Sequence, residues 1–141
     1  FPEGNPGFSL EQEVEWLKAK IDAGANYFVT QMFFIPEAYA RFVDIATKAG
    51  INADEIKFVP GLKPITTAKQ LEILPKFFNC SFPAYLIEGM EKNRGNQQAS
   101  REVGIEKCVE LCETLRGYGA PSLHFYASRD APVREVIQRL K

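Results

Sequence analysis

The sequence has a single histidine and only three cysteines, and these shortages remove several kinds of chemistry. A Ser–His–Asp site has no support, because His124 lies inside an apolar strand pattern and no nucleophile elbow is present. A metal site needs more ligands than this histidine and the cysteines supply at their spacings. Cys108 and Cys112, on one face of a predicted helix, are interpreted as small buried hydrophobes. Cys80 completes an odd count, and a reducing, cytoplasmic setting is expected.

The chain also has little net charge, with 17 basic and 18 acidic residues giving a formal charge of -1. This balance gives no reason to expect nucleic acid or a polybasic membrane contact as a partner. No apolar run approaches the roughly 18 residues that a membrane helix needs, and FPEGNPGF does not resemble a signal peptide. No Gly-rich phosphate loop of the G-x-G-x-x-G or Walker type is present. What is there is an ordinary globular composition, 45% apolar over 141 residues, which suits one domain.

Helix and strand patterns alternate along the chain. Ser9 and Gln12 form a capping-box signal, and apolar residues at helical spacing follow it. Strands are predicted at 27–34, 56–59 and 122–127, each followed by helical patterns, with three successive helical segments between the second and third strands. A turn is predicted around Gly61, between Pro60 and Pro64, and Thr66 or Thr67 is predicted to cap the helix that follows it. Residues 93–100, NRGNQQAS, are predicted to be a mobile surface loop before a helix over 101–115. Strands separated by helices indicate a parallel sheet, so a doubly wound open sheet and a (β/α)8 barrel both fit.

Polar residues at the carboxyl ends of these strands are candidate site residues, because α/β folds bind ligands there. Gln31 interrupts the apolar run VTQMFF, and an unpartnered buried amide costs about 1–3 kcal/mol. It therefore either recognises a heterocycle with amide-like edges or makes a structural hydrogen bond. Simple alternation places it on one face with Val29 and Phe33. Lys63 is a Schiff-base lysine, an anion clamp or a solvated turn residue, and His124 is a general base or a core histidine.

Three motifs taken in order are more specific, namely DAGANYFVTQMFF, VPGLKPI and LHFY. Together they resemble the methylenetetrahydrofolate reductase family in its bacterial form, and the likeness runs from FPEGNP through the last helix. The resemblance implies a (β/α)8 TIM barrel that binds FAD and passes a hydride from NADH or NADPH to methylenetetrahydrofolate. It also implies that residues 1–141 are a single domain covering roughly the last three β/α units of the barrel. The remaining N-terminal half of the barrel is then missing from this sequence.

The resemblance also implies which residues form the site. Substrate contacts are expected at Gln31, at Gln70 on the helix after PGLKPI, and at Arg129, although HFYASR is one residue shorter than the family's usual spacing. Cofactor contacts are expected at Asn5, Glu13, Lys20 and Ala25. From pattern alone, Gln70 and Lys20 are surface residues. No catalytic group is expected in this chain, because the family's acid belongs to the missing half.

Some positions depart from the family pattern. At these positions, where family members often contact flavin or substrate, this sequence has a residue other than the family's usual one. The positions are Phe1, Asn5, Glu13, Trp16, Ala19 and Leu74. FAD binding is therefore expected to be altered in this protein or made by other residues.

The leading hypothesis is that this chain is part of a working reductase. The alternative is that it is a non-catalytic folate-binding relative or half-barrel module. A lysine-dependent lyase using Lys63 is a third hypothesis. An isolated half barrel has unpaired edge strands, so we expect it to pair with its other half or to self-associate. The full-length protein is expected to be a homo-oligomer.

Overall fold

The computed structural model describes residues 2–128 and 130–140. The order of helices and strands is the one that the sequence predicts, including three successive helices between the second and third strands. In chain order the elements are α1 (Leu10–Asp22), β1 (Tyr27–Met32), α2 (Pro36–Lys48), β2 (Lys57–Leu62), α3 (Ala68–Phe77), α4 (Ala84–Lys92), α5 (Gln97–Gly117), β3 (His124–Phe125) and α6 (Val133–Arg139).

The strands form one parallel sheet in the order β1-β2-β3, with β2 in the middle. Neighbouring strands that follow one another in sequence, with helices between them, are the arrangement of consecutive strands in a (β/α)8 barrel. The predicted partial barrel is therefore confirmed. Within the described residues, β1 and β3 each keep one edge unpaired. Val29 on β1 is accordingly 39% exposed in spite of its apolar side chain.

Local sequence signals account for the helix starts. At α1 the capping box is confirmed, because Ser9 Oγ accepts from the Gln12 N–H (3.3 Å) and Gln12 Oε1 accepts from the Ser9 N–H (2.9 Å). Pro36 begins α2, where its missing N–H leaves no hydrogen bond unmade. Thr67, one of two threonines predicted to cap the next helix, is the N-cap of α3.

The main core lies between the sheet and the helices that pack on its outer face. Phe28 of β1 and Phe58 of β2 face this layer, and Phe42 of α2 packs edge-on against Phe58 at 5.1 Å between ring centroids. The Tyr39 hydroxyl donates to the Phe58 carbonyl oxygen at 2.8 Å, which pins α2 to the central strand. Burial of these aromatic rings supplies much of the driving force for the layer.

A second core lies at the carboxyl ends of the strands, beneath α3 and α4. Met32 and Phe34 enter it after β1, Ile65 enters it after β2, and Tyr126 packs against it after β3. Phe34 contacts Phe82 at 4.5 Å between ring centroids. This core holds in place the loops in which a barrel carries its ligand site.

Several predicted boundaries were wrong. The loop expected at 93–100 ends early, because Asn96 caps α5 by accepting from the Ala99 N–H (3.1 Å), and α5 begins at Gln97. The turn expected around Gly61 is part of β2, which continues through Pro60 to Leu62. At the other two strands the prediction was too long, since β1 ends at Met32 and β3 contains two residues.

All three cysteines are free and buried, which confirms the prediction that Cys108 and Cys112 are small buried hydrophobes. Burial and the nearby Glu3 carboxylate raise the pKa of the Cys80 thiol to about 11. The hydrogen bond with Cys112, together with burial, raises the pKa of Cys108 above its ordinary value. Among residues 2–128 and 130–140, no cluster of three or more His, Cys, Asp or Glu side chains could hold a metal ion. No helix in that part of the chain is long and apolar enough to cross a membrane.

Gly104 allows α5 to lie directly against the backbone after β2. A Cβ at Gly104 would be 1.5 Å from the Ile65 carbonyl oxygen, whereas a Cβ at Gly117 of the same helix would meet nothing within 4 Å. We therefore expect Gly104→Ala to lower the free energy of unfolding by about 3 kcal/mol or more, because backbone must move to admit the methyl group. Urea denaturation of the intact protein measures this change.

The matched control is Gly117→Ala, which should leave stability unchanged or raise it by up to about 1 kcal/mol through helix propensity. Equal effects of the two substitutions would contradict the close approach at Gly104.

Candidate functional site

A cavity of about 1090 Å³ lies beside the unpaired edge of β1. Its walls are the loop over residues 2–8, one face of α1, the end of β1 and part of α2, with Asn79 and Tyr126 completing the lining. The cavity brings together some of the residues that the sequence predicted for cofactor and substrate, which are Asn5, Glu13, Lys20 and Gln31. These residues come from separate segments, so the fold assembles the cavity.

The loop over residues 2–8 is held in place by the segment between α3 and α4. Asn79 Nδ2 donates to the carbonyl oxygens of Glu3 (3.2 Å) and Gly4 (2.6 Å). The Ser81 N–H donates to Glu3 Oε1 at 3.0 Å. Gly4 has a φ of 84°, a conformation that favours glycine, so the loop can turn there and place Asn5 on the cavity wall. The loop is thereby fixed to a distant part of the chain.

The side of the cavity formed by α1, which we call the α1 wall, carries an acceptor, a cation and an aromatic pair. Glu13 Oε1 is buried and has no hydrogen-bond partner among the described residues, which is costly for a carboxylate oxygen. Lys20 lies seven positions later on the same helix face and is exposed. Phe8 and Trp16 meet edge to face at 4.7 Å between ring centroids, and both line the cavity. A ligand with hydrogen-bond donors and negative charge would suit this wall.

At the end of β1 the strand register is irregular. Between Val29 and Met32, two residues of β1, Thr30 and Gln31, lie opposite Pro60 of β2. Proline has no N–H to contribute to a strand ladder, so the irregularity falls where a ladder hydrogen bond is unavailable in any case. Such a bulge redirects the side chains that follow it.

Three hydrogen bonds fix this bulge, and we call them the bulge clasp. Thr30 Oγ1 accepts from the Gly61 N–H (2.9 Å) and donates to the Gln31 carbonyl oxygen (2.9 Å). The Tyr126 hydroxyl donates to the Thr30 carbonyl oxygen (2.9 Å). A Cβ at Gly61 would be 2.3 Å from that same oxygen, so only glycine permits the approach of β2. The bulge clasp thus joins β1 to β2 and to the segment after β3.

The Gln31 amide is oriented by its own strand. Gln31 Oε1 accepts from the Met32 N–H at 2.9 Å, which leaves the Nε2 hydrogens available to a ligand in the cavity that Gln31 lines. The prediction that Phe33 shares the face of Gln31 was wrong, because the bulge breaks the alternation. Phe33 is fully buried in the main core and stacks on Tyr39 at 6.1 Å between ring centroids.

Gln70 has a local structural role. Its Oε1 accepts from the N–H groups of Thr66 (2.7 Å) and Thr67 (3.1 Å), closing the capping box of α3. Gln70 is not among the residues that line the large cavity, and its contact with substrate stays a prediction. Nor does Ala25 line it; the Ala25 N–H donates to the Lys20 carbonyl oxygen at 3.0 Å and closes α1. Arg129 lies outside the described residues.

Lys63 and His124 are not among the described residues that line the large cavity. Lys63 lies just after β2, half-buried, and lines a separate cavity of about 20 Å³ together with Tyr85 and Lys107. The His124 ring packs edge-on against Tyr126 at 4.9 Å between ring centroids.

Sequence reasoning missed Thr30, Tyr126 and Asn79 as site residues. The available signal was the Pro-Gly pair inside a strand, which marks a bulge and a close approach.

Comparison with known proteins finds relatives that are named methylenetetrahydrofolate reductases. The chain is 32% identical over 142 residues to methylenetetrahydrofolate reductase 1 of Schizosaccharomyces pombe, covering 99% of this chain and 23% of that protein. It is 30% identical over 138 residues to the 5,10-methylenetetrahydrofolate reductase of Escherichia coli, covering 97% of this chain and 46% of that protein. The chain thus spans less than half the length of these relatives.

A solved structure shares the fold, with a TM-score of 0.56 and 22% sequence identity over 92% of this chain and 46% of the other. It is described as an uncharacterized protein from Clostridium thermocellum that binds two copies of 5-methyl-5,6,7,8-tetrahydrofolic acid. The family model for methylenetetrahydrofolate reductase matches residues 1–141. Because that match covers the whole sequence, the chain belongs to the methylenetetrahydrofolate reductase family.

Proposed function

We propose that the protein containing this chain reduces 5,10-methylenetetrahydrofolate to 5-methyltetrahydrofolate, using NADH or NADPH and a bound FAD. The observation that carries the proposal is the single cavity that joins Gln31 at a strand end to Glu13 and Lys20 on α1. Family membership supports folate one-carbon reduction as the reaction class. The acid that assists the reaction is assigned to β/α units outside this chain, since the relatives are more than twice as long.

The residues of the α1 wall fit FAD. Its ribose and ribityl hydroxyls are donors that would satisfy the buried Glu13 Oε1, which lacks a partner among the described residues. Its diphosphate would lie within reach of a lysine such as Lys20, and Asn5 adds an amide from the loop over residues 2–8. Ala25 is proposed to contact the cofactor through backbone atoms. When bound, the flavin supplies the hydride chemistry, and the protein contributes binding and orientation.

Glu13 provides a direct test of cofactor binding. We expect Glu13→Leu to weaken FAD binding about tenfold or more, because a buried acceptor for a ligand hydroxyl is lost. Flavin fluorescence during titration of the intact apoprotein measures the dissociation constant. The matched control is Glu15→Leu on the exposed part of the same helix, which should leave FAD affinity within about twofold. Equal FAD affinity in both variants and the wild type would exclude Glu13 as a cofactor residue.

The substrate is assigned to the end of β1. The pterin ring of folate carries a carbonyl oxygen and ring nitrogens that accept hydrogen bonds, and Gln31 offers its Nε2 hydrogens to the cavity. Arg129 and Gln70 complete the proposed substrate contacts, with the Arg129 guanidinium suited to the carboxylates of the folate tail. In this arrangement the chain binds and orients the substrate.

Gln31→Leu tests the proposed function as a whole. The wild-type intact protein should purify with flavin and reduce methylenetetrahydrofolate with NADH or NADPH. In Gln31→Leu we expect kcat/KM for the folate to fall about tenfold to a hundredfold, because an apolar side chain cannot donate to the pterin. Flavin content and NAD(P)H oxidation with a quinone acceptor should stay within about twofold. A wild-type protein that neither holds FAD nor reduces the folate would overturn the proposal.

Gln70→Glu separates the two roles of that residue. The carboxylate can still accept from the Thr66 and Thr67 N–H groups, so the stability of the protein should be kept. It cannot donate, so we expect the KM for methylenetetrahydrofolate to rise about fivefold if Gln70 contacts substrate as the proposal states. Steady-state kinetics and thermal unfolding are measured side by side. An unchanged KM with unchanged stability would leave Gln70 only its capping role.

A second candidate is a folate-binding relative without reductase activity. The Clostridium thermocellum protein favours it, because that protein binds 5-methyl-5,6,7,8-tetrahydrofolic acid. The side chains Trp16 and Ala19, at positions where the family often holds the cofactor, point in the same direction. Calorimetric titration distinguishes the candidates, since folate binding without FAD binding would support this second function.

The proposed partners follow from the open edges of the sheet. Tyr27 on β1 is 55% exposed, and we propose that β/α units outside this chain pair with the edges of β1 and β3 to close a barrel. We further propose that the full-length protein is a homo-oligomer. A cytoplasmic location is proposed on two grounds, that the cysteines are free thiols and that the reaction consumes reduced nicotinamide.

A further inference from the structure

We infer that Tyr126 is a positioning residue for Gln31, acting through the bulge of β1. Its hydroxyl holds the bulge in the conformation that presents the Gln31 amide to the ligand. This inference rests on the proposed function, because that proposal assigns Gln31 to the folate.

Tyr126 is anchored so that it can act on β1. Its N–H donates to the Leu62 carbonyl oxygen at 2.7 Å, which fixes its backbone to the end of β2. Its hydroxyl reaches past β2 to the Thr30 carbonyl oxygen on β1 at 2.9 Å. Its ring would touch any side chain at Gly61, since a Cβ there would be 2.6 Å from a ring carbon. One side chain therefore spans the sheet at the level of the site.

Gln31 depends on this anchor because it is a bulged residue. Bulged residues lie outside the regular strand ladder, so other hydrogen bonds must define their conformation. Here Thr30 supplies them, since its hydroxyl donates to the Gln31 carbonyl oxygen while its own carbonyl accepts from Tyr126. Releasing the Thr30 carbonyl would let the peptide between Thr30 and Gln31 rotate. The amide of Gln31 would then lose its alignment.

The test is Tyr126→Phe in the intact protein, which removes a single hydroxyl. We expect the KM for methylenetetrahydrofolate to rise about fivefold to tenfold with FAD affinity unchanged, because one hydrogen bond is lost at the bulge. The matched control is Tyr39→Phe, which also removes a hydroxyl that donates to a strand carbonyl, but on the helix side of the sheet. Tyr39→Phe should lower stability and leave the KM within about twofold.

A double-mutant cycle separates positioning from direct contact with the ligand. If Tyr126 acts through Gln31, Tyr126→Phe will change the KM by less than about twofold in a Gln31→Leu background. Thr30→Val should reproduce the effect of Tyr126→Phe, and Thr30→Ser, which keeps the hydroxyl, should restore the wild-type KM. Additive effects of Tyr126→Phe and Gln31→Leu would overturn the inference.

A crystal structure of Tyr126→Phe gives a readout that needs no folate. We expect the hydrogen bond between Gln31 Oε1 and the Met32 N–H to be broken and the Thr30–Gln31 peptide to be rotated. An unchanged bulge in that structure would overturn the inference whether or not the protein is a reductase. A wild-type protein without folate activity, together with a rotated bulge in Tyr126→Phe, would instead refute the proposed function and retain the link between Tyr126 and Gln31.

Discussion

The close approach of β2 to β1 at Gly61 is the constraint on which the site depends. A Cβ at Gly61 would be 2.3 Å from the Thr30 carbonyl oxygen, and the neighbouring Pro60 has no N–H for the ladder. The register therefore shifts at this point, and the Thr30 hydroxyl takes the Gly61 N–H in place of a ladder acceptor. Without the bulge, strict alternation would place Phe33 and Gln31 on one face. With it, Phe33 enters the core and Gln31 lines the cavity.

The cavity has two chemically different walls, and this division supports the proposed reaction, which needs both a cofactor and a substrate. The α1 wall carries a buried acceptor and a cation, Glu13 and Lys20, whereas the β1 wall carries the Gln31 amide with its donor end available. The hydrogen bonds of Asn79 hold the loop over residues 2–8, which also lines the cavity. A ligand in the cavity would contact residues far apart in sequence, so binding and folding of this part of the barrel are coupled.

Features controlled by neighbouring residues could be predicted from the sequence. The capping box at Ser9, the cap at Thr67, the buried thiols and the parallel α/β architecture are of this kind, and all are confirmed. The features that were wrong depend on contacts between distant segments. The sequence around Gly61 is typical of a turn, and only the packing of Thr30 and Tyr126 makes it a strand with a bulge.

The candidate site shows the same limit. Pattern alone predicted that Lys20 is a surface residue, and it is exposed, but only the resemblance to a family singled out Lys20, Glu13 and Asn5 as site residues. The shared cavity depends on a loop fixed by Asn79, which no local pattern indicates. For Gln70, in contrast, a local pattern is sufficient. Its spacing from Thr67 is that of a capping box, and its side chain accepts the hydrogen bond from the Thr67 N–H.

The most direct test of the central claim is a crystal structure of the intact protein with 5-methyltetrahydrofolate. The account predicts that Gln31 Nε2 lies within about 3.2 Å of an acceptor atom of the pterin ring. The hydrogen bond from the Met32 N–H to Gln31 Oε1 should be kept in that complex. A pterin ring bound without contact to Gln31, at a position away from the end of β1, would contradict the account.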